Sequence, residues 1–136
     1  MTIRSDLLAS LTGDTTLMAT LTGGVYSGTE ISRQNTPSAF DANLELKPCA
    51  LLVVETDTNV RPYAKGARTY VTVMFYQRVG VDVIESAQAR VYALWHGQRI
   101  GAQTWQVLWT DDVNDQEDQA LNARLAVSRY AVTRMR

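Results

Sequence analysis

Apolar residues near the N-terminus recur at helical spacing. Ile3, Leu7, Leu8 and Leu11 form one stripe, Thr2 is placed to cap its start, and Thr12-Gly13 ends it. Asp14 then reads as a second N-cap, ahead of Leu17, Met18 and Leu21, and Gly23-Gly24 supplies left-handed positions that stop a helix. The pattern predicts a helical hairpin with one apolar face. From Val25 to Pro48 the period disappears into turn formers such as Ser27, Gly28, Asn35 and Pro37. A stretch that long predicts an extended arm over 25–48, pinned by Tyr26, Ile31 and Phe40.

Order returns at Cys49 to Glu55, a continuous apolar run that suits a strand buried on both faces. A polar connection over 56–67 separates it from Arg68 to Val79, where Val71, Val73 and Phe75 alternate with Thr72, Met74 and Tyr76. These two runs predict a β-hairpin whose protruding tip carries Arg61, Tyr63, Lys65 and Arg68. Asp82 and Glu85 resemble a capping box opening a helix with its stripe at Ile84, Ala87, Val91, Leu94 and Trp95, closed by Gly97. A third strand follows, with Trp105, Val107 and Trp109 on one side. An acidic turn over 111–120 then leads to a last strand from about Ala123 to Met135. There Leu125 and Val127 give way to Tyr130 and Val132, which predicts a bulge near Ser128 and Arg129. The order α, α, arm, β, β, α, β, β reads as one α+β domain: a single antiparallel or mixed sheet of about four strands, the helical hairpin and one helix packed on it.

Composition narrows the function classes. With 136 residues, 46% of them hydrophobic, the chain is long enough for one core. Its single cysteine excludes a disulfide framework and fits a reducing compartment. The net charge of −1 argues against a dedicated nucleic-acid binder. No apolar run is long enough to cross a bilayer, and Asp6 interrupts any signal-peptide reading of the N-terminus, so no membrane partner is expected.

Candidate chemistry is sparse. His96 is the sole histidine and sits at a helix end, where an imidazole complements the helix dipole. Cys49 begins a core strand and reads as a small hydrophobe. The acidic segment could attract a hard cation, but counted from Asp112 the sixth and twelfth positions hold Glu117 and Ala123, which fails the EF-hand pattern. Asp41, Glu45 and Lys47 resemble the carboxylate pair and lysine of Mg²⁺-dependent nucleases, at a spacing too short for a firm match. The three tryptophans fall at helix and strand periods and are expected in the core. No cofactor, metal or catalytic residue is therefore expected, and no enzyme.

Four segments together resemble the tail-terminator, or tail-completion, family of bacteriophages with long, non-contractile tails: SDLLASLTGDTTLMATLTGGVY, SRQNTPSAFDANLELKPCALLVVE, YVTVMFYQRVGVDVIESAQARVYALWHGQRI and ARLAVSRYAVTRMR. The resemblance runs over nearly the whole chain. It implies an α+β virion protein at the head-tail junction, assembled in the host cytoplasm. Such a subunit forms a homo-oligomeric ring, a hexamer in this family, on the head-proximal end of the tail tube. Its partners would be itself, the tail-tube protein and a neck or head-completion protein, with DNA only passing through the lumen. A neck connector of the same virion is the alternative; a nuclease and a host binding domain are the others.

A ring joins one patch on each subunit to a different patch on the next. Charge is segregated to match: Asp111, Asp112, Asp115, Glu117 and Asp118 form a run of acids without a base, while Arg124, Arg129, Arg134 and Arg136 follow without an acid. Exposed ion pairs contribute little each, so apolar contacts should carry the energy. The interface residues expected on this basis are Tyr26, Ile31, Arg33 and Phe40 of the arm, Arg61, Tyr63 and Lys65 of the hairpin tip, the five acids, and Arg129 and Arg134. The acids could instead line the lumen and let DNA slide past.

Overall fold

The computed structural model describes residues 2–59, 66–102 and 104–135. Helix α1 (Ile3–Thr12) opens on a capping box in which Thr2 accepts from the Ser5 amide, and α2 (Thr15–Thr20) on Asp14, whose Oδ2 accepts from the Leu17 amide at 2.9 Å. Strand β1 (Val25–Ser27) follows. A long segment with a 3₁₀ turn at Pro37–Ala39 then leads to β2 (Cys49–Asn59), β3 (Gly66–Gln77), α3 (Asp82–Trp95), β4 (Thr104–Asp118) and β5 (Ala123–Met135).

The sheet has five strands in the order β1-β2-β3-β5-β4, one more than the sequence predicts. The extra one is β1, three residues inside the expected arm that pair parallel with Ala50 to Leu52. All other pairings are antiparallel, so the sheet is mixed. Gly23 lets β1 start there: its amide donates to Pro48 O at 2.7 Å, and a Cβ would lie 2.9 Å from that oxygen.

Strand parity divides the side chains between two faces. Ala50, Leu52, Val71, Val73, Phe75, Ala126, Tyr130 and Val132 point to one side. There they form the main core with Leu7, Leu11, Leu17, Leu21, Ile84, Ala87, Val91 and Trp95 from the helices. Trp95 is fully buried, donates its indole N–H to Ser10 Oγ at 2.8 Å and meets Tyr130 edge-on, ring centroids 5.1 Å apart.

Helix α3 is not capped by Asp82 and Glu85 as the sequence suggests. Its N-cap is Val81, which offers no side-chain oxygen, and the orphan amides of Val83 and Ile84 donate instead to Gln77 Oε1, at 3.0 and 3.1 Å. The cap thus comes from the end of β3 and ties helix to sheet. Arg90 clamps α3 to the α2 terminus, with its guanidinium donating to both oxygens of Asp14, at 2.9 and 2.7 Å.

This clamp makes a pH prediction. The Arg90 hydrogen bond holds the Asp14 carboxyl down at about 2, below its ordinary 3.8. A folded-state value below the unfolded one stabilises the fold above pH 3.8, and that contribution is lost as pH falls through about 2. Acid unfolding followed by circular dichroism should therefore be less steep between pH 4 and 2 in Asp14→Asn, which should also start less stable at neutral pH.

The last strand corrects another expectation. No slip occurs at Ser128 or Arg129: β3 and β5 pair without interruption from Gly66↔Met135 to Gln77↔Arg124. Leu125 and Val127 simply face the opposite side from Tyr130 and Val132, because β5 is paired on both edges and carries apolar residues on both faces. The irregularities lie in β4, at Thr104/Gln106, Trp109/Asp111 and Val113/Gln116, and in β2 at Val54/Asp57.

Candidate interaction surfaces

The second face of the sheet holds the first surface. Half of it is covered by the segment expected to be an extended arm. Ile31, Ala39, Phe40 and Leu46 pack on Cys49, Tyr76 and Ala123 as a second small core. Ile31 and Phe40 are 3% and 9% exposed, so they are used within the chain instead of lying open to a neighbour. Local bonds close the segment: Arg33 donates through Nε and Nη2 to Leu44 O and stands over the Phe40 ring, 5.4 Å from its centroid. Tyr26 is half-buried against the same core and donates its hydroxyl to Gly23 O. Burial pushes the Cys49 thiol up to about 12, which makes it a poor nucleophile.

Among the described residues, the other half of that face is open. Tyr70, Ala131 and Leu108 lie side by side across β3, β5 and β4, and Tyr70 and Leu108 are 37% and 40% exposed. Beside them Val53, Met74 and Val127 are only half-buried. A shallow cavity of about 430 Å³ runs between them, edged by Glu55, Thr72 and Arg129. An aliphatic and aromatic strip with a polar rim is the usual build of a protein-binding patch.

The acidic segment is not a turn. Residues 111 to 118 continue β4 to the end of the sheet, and the chain reverses at 119–122, where Asn122 takes a positive φ of 51°. Folding back antiparallel sets acids against arginines across the ladder: Asp111 faces Arg129, with a 3.4 Å ion pair, and Glu117 faces Arg124. Arg134 is held by Asp57 Oδ2 at 2.9 Å and donates to Thr69 Oγ1 at 2.8 Å. Charges segregated along the sequence are thus partly neutralised within the sheet: Arg134 is largely buried in its pairing with Asp57, while Arg129 keeps 54% of its side chain exposed beside Asp111. Asp112, Asp115 and Glu117 remain exposed on the outer strand. Arg61, Tyr63 and Lys65 lie outside the described residues.

The second surface is the edge of β4 against α3, which the sequence did not reveal. Only Trp95 of the three tryptophans is in the core; Trp105 and Trp109 are 47% and 40% exposed. Trp109 meets Tyr92 edge-on with centroids 6.2 Å apart, and donates its indole N–H to Asp112 Oδ1 at 3.0 Å. Tyr92 stacks on His96 at 4.7 Å, and His96 Nδ1 accepts the Trp109 amide at 3.0 Å. His96, the C-cap residue of α3, therefore also anchors the edge strand to the helix. Between these elements lies a groove of about 440 Å³ with Tyr130 at its floor. Burial, with Asp112 and Tyr92 beside it, pushes the Tyr130 phenol up, so its proton stays on.

The nuclease-like trio is otherwise employed. Asp41 Oδ1 accepts the amides of Asn43 and Glu45 to close a turn, and Glu45 pairs with Arg78 at 3.4 Å. Among the described residues no three His, Cys, Asp or Glu side chains gather as a metal site.

No protein-family model matches the sequence, and no curated protein matches it. The fold is similar to that of a chain from a solved structure described as "Virion of native gene transfer agent (GTA) particle", with a TM-score of 0.67 and 13% identity over 97% of this chain and 94% of that one.

Proposed function

We propose that this chain is a structural subunit of a phage-like virion, and more specifically a tail terminator: a ring, six copies by the family resemblance, that caps the tail tube and joins it to the head. The observation that carries the reading is the open half-face of the sheet around Tyr70, Leu108, Ala131 and Val127. A folded unit of this size whose described residues leave such a strip uncovered has a surface suited to a protein partner. The shared fold with a virion chain supports the same reading, since it spans almost the full length of both. The role is non-catalytic. Copies of the chain and the tail-tube protein are the partners, with a neck protein on the opposite side and DNA only passing through.

The exposed acids of β4 suit that passage. Asp112, Asp115 and Glu117 would repel the phosphates of a translocating duplex and prevent it from sticking. The test is co-sedimentation with polymerised tail-tube protein. Purified chain should bind tube ends and stop elongation at substoichiometric ratios. Binding along the tube walls, or none at all, would remove the reading. Binding to portal complexes instead would make the chain a neck connector.

A further inference from the structure

We infer that Leu44 is an anchor carried for a second copy of this chain, and that it enters the open cavity on the second face of the sheet, joining copies head to tail. This deepens the proposed function and rests on its self-assembly; the place on a tail tube is tested separately, by co-sedimentation.

Leu44 is unusual on two counts. Its φ is 60°, in the left-handed region that glycine and asparagine enter easily and leucine does not. It is also 59% exposed, so burial within the chain does not offset the strain. Backbone bonds hold the conformation on both sides. The Leu44 amide donates to Asp41 O at 3.0 Å, and its carbonyl accepts from Arg33 Nε and Nη2 at 3.1 and 2.9 Å. Asp41 Oδ1 takes the neighbouring amides of Asn43 and Glu45. An aliphatic side chain on a turn fixed in this way loses little freedom when it is covered. Strain kept at an exposed position points to a use outside the fold.

The receiving site is on the same chain. The cavity of about 430 Å³ beside Val53, Tyr70, Met74 and Val127 is apolar and ample for one isobutyl group. Charge fixes the orientation of entry. Thr72 is paired with Val53 of β2 on one side and Arg129 of β5 on the other, and it donates its hydroxyl to Glu55. An anion and a cation therefore flank the cavity across the sheet. Leu44 is flanked in the same way, by the Arg33 guanidinium at its carbonyl and by Glu45 next in the chain. Arg129 and Glu45 keep 54% and 47% of their side chains exposed. One orientation sets Arg33 towards Glu55 and Glu45 towards Arg129, whereas the reverse brings like charges together. A knob and a hole at different places on one chain make a heterologous contact, which repeats from copy to copy and closes as a ring when the rotation allows.

The test is the double variant Leu44→Cys/Val127→Cys of the full chain, oxidised with copper phenanthroline and run on a non-reducing gel. A disulfide needs Cβ atoms about 3.5–4.5 Å apart, so a side chain seated in the cavity will bridge. Cys49 is fully buried and stays in place. The expected result is a ladder extending past dimer, with a mixed dimer when differently tagged Leu44→Cys and Val127→Cys chains are combined. Leu44→Cys/Ser86→Cys, whose second thiol lies on the exposed side of α3, should give no such ladder. A product that stops at dimer would mean a two-fold exchange, and a monomer alone or equal ladders in both variants would mean that Leu44 does not enter the cavity; each overturns the proposal. Leu44→Asn supplies a second readout, because relief of the strain should raise the thermal midpoint by about 3 °C or more. The same substitution should weaken self-association in sedimentation equilibrium at least about tenfold, as loss of a central apolar anchor does. Unchanged self-association would overturn the proposal. So would loss of tube binding in Leu44→Asn without any chain-to-chain bridge, because the tube protein would then be the occupant. Bridging in a chain that does not bind tubes would uphold the contact and remove the tail role.

Discussion

Replacing Trp95 by alanine should lower the stability of the folded chain by about 3–5 kcal/mol, the range for truncating a large buried aromatic. Trp95 is the largest fully buried side chain and bridges three elements. Its ring lies against Tyr130 of β5, its indole N–H is taken by Ser10 of α1, and it belongs to the last turn of α3. Truncation would open a void at the junction and leave Ser10 Oγ without its donor. Urea denaturation monitored by circular dichroism measures the effect. Trp105→Ala is the matched control: its ring is 47% exposed at the sheet edge, and its loss should cost about 1 kcal/mol or less. Similar losses for the two would mean that the core is not organised around Trp95.

The second large effect concerns assembly and not folding. Tyr70→Glu combined with Leu108→Glu puts two carboxylates on the open half-face, flanking Ala131. Both side chains already meet solvent, so the isolated chain should keep its thermal midpoint within a few degrees. In an interface the same carboxylates would be buried without partners, at a cost of about 3–5 kcal/mol, or more than about a hundredfold in affinity. Tube binding should therefore disappear while the fold persists. Retained binding would place the interface elsewhere.

Much of this architecture is legible in the sequence, for physical reasons that also explain the rest. Caps at Thr2 and Asp14 and the stripe from Ile84 to Trp95 announce helices because each has one apolar face against a sheet. The alternation from Val71 to Tyr76 announces β3 in the same way. By contrast, β4 is an edge strand with solvent beside it, and three register shifts break its parity. Trp105 and Trp109, two residues either side of buried Val107, therefore look like core positions and are not. The acids after Asp111 read as a turn because an exposed edge strand needs no apolar residues, and charges there discourage unwanted strand pairing. The segment 28–48 has no period, so nothing local reveals that Ile31, Phe40 and Leu46 converge on Cys49 and Tyr76.

Interface residues are least legible. Candidates that are apolar in an unpatterned segment, such as Ile31 and Phe40, are used by the chain itself. Those that stand out by charge, such as Arg129 and Asp111, meet each other across β4 and β5. The surfaces that remain, Tyr70 with Leu108 and Tyr92 with Trp109, become visible only when pairing fixes which face each strand residue occupies.

The measurement that bears most directly on the central claim is electron cryo-microscopy of the assembled particle that carries this protein. One ring of copies is expected between the last tail-tube ring and the neck, with the Tyr70 and Leu108 strip buried in a contact to the tube or to the next copy. Density for the chain along the tail, at its distal tip or within the capsid shell would contradict it.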